Sequence, residues 1–144
     1  MADKTYKATV AYAGDEFFIA TPPSGHAQLF DIKGDRHAAT TPLEALLVAV
    51  AGCTAADVIS IMLKKRQDVT AYRVEIEGTR ADEHPRKFLK FEINHIVHGR
   101  KISEAALAGA IELSETKYCS VAATVRPTAV ITSRHEIHEI DETR

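Results

Sequence analysis

The run from Thr41 to Arg66, TPLEALLVAVAGCTAADVISIMLKKR, constrains this chain more than any other feature. Thr41 is a natural N-cap, Pro42 suits the first helical position, and Glu44 stands at the third to complete a capping box. Leu43, Leu46, Leu47, Val50, Val58, Ile61 and Met62 recur at helical spacing. Lys64, Lys65 and Arg66 place cations where the helix dipole favours them. The interior between is rich in alanine and holds Gly52, so another backbone can approach closely. A long helix buried on more than one side is expected, and the fold has to be built around it.

The flanks read mostly as strands. Residues 4–12 alternate, with Tyr6, Ala8, Val10 and Tyr12 on one face. Gly14-Asp15 makes a turn into a second strand, EFFIA, and the TPPSG cluster at 21–25 separates a third at 26–31. Residues 32–41 form a polar loop. Beyond the helix, 70–80 and 87–98 alternate around a turn at 82–86 and predict a hairpin. Ser103 caps a second helix running to about Tyr118, with Ile102 and Leu107 placed as a hydrophobic staple. Residues 124–133 read as a last strand, with Pro127 suggesting an edge, and the charged tail RHEIHEIDETR reads as only partly ordered. The expected class is α+β, in the order βββ-α-ββ-α-β, as a single domain over residues 1–144.

A length of 144 residues, with 45% hydrophobic and 26% charged residues, is that of an ordinary globular domain. A net charge of −2 offers no basic field for nucleic acid, which argues against that partner. The N-terminus has no apolar leader, and no run approaches the length of a membrane span, so a cytoplasmic protein without a membrane partner is expected. In that compartment the two cysteines, Cys53 and Cys119, would be reduced thiols. By residue type each reads equally as a small buried hydrophobe.

Two stretches carry a resemblance. The helix start PLEALL leading to the Ala-Gly-Cys53 step, and the Tyr-Cys119-Ser-Val stretch, occur in the order and at the separation of the OsmC/Ohr superfamily signatures. The chain resembles that superfamily over roughly residues 20–133, on the side of a divergent OsmC-like branch. The resemblance implies two intertwined subunits with central helices at the dimer core, and an oxidative-stress function in thiol-dependent reduction of organic hydroperoxides. It also implies Cys53 as the peroxidatic residue, Cys119 as the resolving one, a Cys53–Cys119 disulfide, and an external dithiol as reductant. Two alternatives stay open: a non-catalytic dimer of the same fold binding a small apolar ligand, and a redox sensor.

The residues add conditions. Cys119, at the end of the second helix, faces a dipole that disfavours an anion. Cys53 lies about three turns into its helix, too far for dipole help, and would need a cation from elsewhere. The family pairs its reactive cysteine with an arginine from the N-terminal strands and a glutamate ten residues earlier. Here that position is Leu43, and Glu44 follows it; Arg36 is the only arginine ahead of Cys53. Arg36 and Glu44 are therefore the candidate partners, although Glu44 is also accounted for by its cap. Asp57, one turn after Cys53, would raise the thiol pKa unless a cation intervenes. His135 and His138, like His95 and His98, would face opposite ways on a strand and make no shared site. No cofactor or metal set is expected.

Overall fold

The computed structural model describes residues 4–141. It divides into two compact units, Met1–Leu46 and Leu47–Arg144.

In the first unit, β1 (Thr9–Gly14), β2 (Phe17–Thr21) and β3 (Gln28–Asp31) form an antiparallel meander. The expected first strand loses its beginning: pairing starts at Thr9, and Tyr6 lies almost fully exposed. The β1–β2 turn needs left-handed backbone at Gly14, Asp15 and Glu16, which glycine accepts freely and aspartate tolerates. The loop after β3 is organised by Asp31, whose buried carboxylate accepts N–H bonds from Lys33 and Ala38 and two from Arg36.

Helix α1 (Pro42–Lys64) begins at the predicted cap. The Glu44 amide donates to Thr41 Oγ1 at 3.1 Å and the Thr41 amide to Glu44 Oε1 at 3.2 Å, which is the reciprocal capping box. In the second unit α1 buries Val50, Thr54, Val58 and Met62, a stripe with a spacing of four. One expectation needs correction. By length and composition α1 does meet the requirement for a membrane span, with a mean hydropathy of 2.2 over its most apolar stretch.

The long strands β4 (Asp68–Arg80) and β5 (Phe88–Arg100) form the expected hairpin, longer than predicted at its open end. Strand β6 (Val130–Glu139) lies parallel to β5, giving the sheet order β4-β5-β6. Val58 and Met62 of α1, Val97 of β5, and Leu107, Ala110 and Ile111 of α2 (Glu104–Leu113) form the core. Ser103 Oγ accepts the Ala106 amide at the start of α2, and Ile102 and Leu107 both join the core beside it. At Gly99 the strand has no room for a side chain, because a Cβ would lie 2.2 Å from the Asp68 carbonyl oxygen.

The last third departs most from expectation. Helix α2 stops at Leu113, a π-helical turn follows over Ser114–Tyr118, and α3 (Ser120–Val125) ends on Thr124 and Val125, the first two residues read as strand. The strand itself starts at Val130 and takes in most of the tail read as partly ordered. Ile131, Ser133, His135 and Ile137 are half-buried while Thr132, Arg134, Glu136 and His138 are exposed. This is strand alternation with serine and histidine in the inner row. Pro127 lies in the turn before the strand, not on its edge.

Candidate thiol site

Three side chains from two elements converge in the second unit. The Sγ atoms of Cys53 and Cys119 and a carboxylate oxygen of Asp57 all lie within 4.8 Å of one another. Cys53 and Asp57 come from successive turns of α1, where a spacing of four puts them on one side. Cys119 arrives by the π-helical turn, closed by its own amide bonding the Ser114 carbonyl at 2.8 Å. The wider π turn carries the chain from α2 to α3 without a long loop, and such turns recur at functional sites. Both cysteines are free thiols, Cys53 half-buried and Cys119 buried. A bond of about 2.05 Å between them needs their side chains to swing together.

Ser114 fixes the carboxylate. Its Oγ lies 2.9 Å from Asp57 Oδ2 and 3.0 Å from Thr54 Oγ1. An ionised carboxylate only accepts, so Ser114 donates to Asp57, and the Thr54 hydroxyl completes the pair. Ser114 and Thr54 are both buried. Sequence reasoning passed over both, since nothing marks a serine at a helix end as the partner of a carboxylate 57 residues away. A cavity of about 300 Å³, lined by Asp57, Ser60, Ile61, Lys64, Leu113 and Tyr118, adjoins the carboxylate.

Burial pushes the Cys119 thiol up to about 11, and Cys53 and Asp57 add to the push against a hydrogen bond from the Ala122 amide. That amide donates to Cys119 Sγ at 3.3 Å, so the sulfur caps α3. The direction agrees with expectation, but the cause is different: Cys119 begins a helix rather than ending one, and desolvation outweighs the backbone.

Arg36 and Glu44 belong to the first unit. The Arg36 guanidinium forks onto Asp31 at 2.8 and 2.9 Å, reaches Asp15 Oδ2 at 2.7 Å, and stacks 3.8 Å over the Phe17 ring. Its hydrogen bonds to the Asp31 carboxyl, and the backbone bonds from Lys33 and Ala38, hold that group well below the usual carboxylate range despite its burial. Glu44 is engaged in the capping box.

The histidines sort by strand face as expected, but strand register pairs them between β5 and β6. His95 lies opposite His135 and His98 opposite His138. The His98 and His138 rings stack with centroids 4.8 Å apart. His95 is fully buried, its Nδ1 2.7 Å from the Tyr72 hydroxyl, and burial drives its pKa down to about 4 with help from His135.

A half-buried thiol on a long apolar helix, a buried second thiol beside it and a three-stranded α+β sheet behind define a two-thiol protein of a distinct structural class. The OsmC-like protein family model matches residues 33–134, and the chain belongs to that family. It is similar to Protein YhfA of Escherichia coli (strain K12), 39% identical over 132 residues that cover 91% of this chain and 97% of that one. It is also similar to the crystal structure of a hypothetical protein from Aquifex aeolicus VF5, 28% identical, with a TM-score of 0.86 over 96% of this chain and all of the other. An organic hydroperoxide resistance protein OsmC from Legionella pneumophila shares the fold at 13% identity, with a TM-score of 0.66 over 94% of this chain and 99% of that one.

Proposed function

We propose that this protein is a thiol-dependent peroxidase that reduces organic hydroperoxides, with Cys53 as peroxidatic and Cys119 as resolving residue. The observation that carries the reading is the approach of the two sulfurs within 4.8 Å across 66 residues of sequence. Membership of the OsmC-like family and the organic hydroperoxide resistance activity named for a protein of the same fold support it. In the first step the Cys53 thiolate attacks the peroxide oxygen. The O–O bond breaks, the alcohol leaves with a proton, and Cys53 becomes a sulfenic acid. Cys119 then attacks that sulfur, the S–O bond breaks, and water leaves as the disulfide forms. An external dithiol resets the pair by exchange and is itself oxidised. The high Cys119 pKa suits this order, because the buried thiol stays protonated and does not compete for the peroxide.

In this reading Arg36 and Glu44 hold their own segments in place, the Asp31 loop and the α1 cap. The protein acts in the cytoplasm, in the response to oxidative stress, as one domain; the family match runs unbroken across the boundary between the two units. It works as a homodimer. Only 22% of the most apolar stretch of α1 is buried in the single chain. Apolar grooves of about 400 and 300 Å³ run between α1 and β4, lined by residues such as Ala55, Ile59 and Tyr72 in one and Val48, Gly52 and Val74 in the other. Those grooves equally suit a small apolar ligand, which is the second reading. The deciding test is one equivalent of an organic hydroperoxide added to reduced protein. Mass spectrometry will find Cys53 joined to Cys119 within one chain; two free thiols after treatment would overturn the peroxidase and favour the ligand.

A further inference from the structure

We propose that, with both thiols reduced, Cys53, Cys119 and Asp57 form a binding site for a thiophilic divalent cation of the zinc class. The donor set is two sulfurs and one carboxylate oxygen, all within 4.8 Å of one another. Zinc takes thiolates at about 2.3 Å and carboxylates at about 2.0–2.2 Å in a tetrahedral shell. Donors in such a shell stand about 3.5–3.8 Å apart, so small side-chain rotations would close this cluster around an ion.

Three further features fit a cation better than an idle cluster. Asp57 is held by the buried Ser114 hydroxyl, itself paired with buried Thr54, which is the outer arrangement that orients a ligating carboxylate. Cys119 Sγ accepts the Ala122 amide, a bond that strengthens when the sulfur carries negative charge. Among the described residues the hydrogen-bond partner of Asp57 is a hydroxyl, and Lys64, which lines the same cavity, makes no ion pair with it. The adjoining cavity, lined by Asp57 and Tyr118, leaves space for water or a small ligand in a fourth position. The stacked His98 and His138 on the sheet offer a competing pair of nitrogens, but no third donor joins them in a comparable group among the described residues.

Binding displaces one proton from each thiol into solvent and transfers no electron. The bound ion holds both sulfurs as thiolate ligands, so it competes with oxidation at Cys53. The disulfide retains only the carboxylate, so oxidation expels the ion. Metal occupancy and oxidation therefore exclude each other, whichever oxidant the protein meets.

The test uses reduced, metal-stripped full-length protein titrated with zinc against a chromophoric chelator, and with cobalt as a spectroscopic substitute. We expect one ion per chain, an intense near-ultraviolet thiolate-to-cobalt band, and zinc protection of both thiols from alkylation in the unaltered protein. Cys53→Ser and Cys119→Ser each abolish or halve the band. Asp57→Asn and Ser114→Ala keep it but weaken binding by about tenfold or more. Protein oxidised with diamide to the disulfide binds no ion there. Absence of the thiolate band in the reduced wild-type protein overturns the proposal. So does binding that survives both serine variants or the disulfide, which would place the ion elsewhere, such as at His98 and His138. A protein that binds zinc but reduces no peroxide would refute the peroxidase and leave this site standing; the reverse result would do the opposite.

Discussion

At the scale of single residues, the two thiols differ by environment, and that difference predicts how each variant fails. Cys53→Ser will abolish peroxide consumption. Cys119→Ser will allow one turnover and leave a sulfenic acid on Cys53 that a dimedone-type trap captures. Equal loss of the first turnover in both variants would remove the assignment of roles. A second residue-scale prediction concerns His95. The titratable groups facing it are Tyr72 from β4 and His135 from β6, with Glu104 beyond His135. Its pKa falls from 6.5 to about 4 in the folded chain, so below pH 6.5 the unfolded chain takes up the proton first. The contribution of a neutral His95 is complete above about pH 6.5, declines as pH falls, and is lost near pH 4. The loss amounts to about 3 kcal/mol. Urea denaturation across that range will show the decline, and His95→Gln will flatten it; an unchanged slope would show that His95 is protonated without cost.

At the scale of elements, one variant tests whether the Asp31 loop takes part in the chemistry. Arg36→Ala leaves the Asp31 carboxylate buried without its cation, and breaking a buried pair destabilises strongly. The melting temperature will fall while the alkylation rate of Cys53 against pH stays as in the wild type. Slower alkylation would make Arg36 the activating cation instead. Elements with a local signature were legible in the sequence. The Thr41–Glu44 box, the Ser103 cap and the β4–β5 alternation each carry their cause within a few residues. The π turn was not legible because SETKY reads as a plain continuation of α2, and the end of α3 was not because the β-branched Thr124 and Val125 suit a strand. Strand β6 was expected at 124–133 and lies at Val130–Glu139; its continuation into the tail was not legible because the inner row includes Ser133 and His135, residues that read as polar until Glu115 and Glu104 are seen to partner them. The thiol pair was available only through family resemblance. No spacing rule brings residues 53 and 119 together.

At the scale of the whole molecule, the single chain leaves an apolar helix largely uncovered. Light scattering at micromolar concentration is expected to give a dimer that persists in both redox states. A monomer would leave the grooves beside α1 to a small ligand. The same helix poses a sorting problem. A newly made chain presents a 23-residue segment that length and hydropathy alone do not distinguish from a stretch destined for a bilayer. Asp57 lies within it. An aspartate near the middle of a membrane segment costs roughly 2.5–3.5 kcal/mol on insertion, and Thr54 and Ser60 add polar groups on either side. The carboxylate beside the sulfurs therefore also lowers the chance that the insertion machinery accepts α1. Asp57→Leu would remove that safeguard and turn the helix into a better substrate for the translocon.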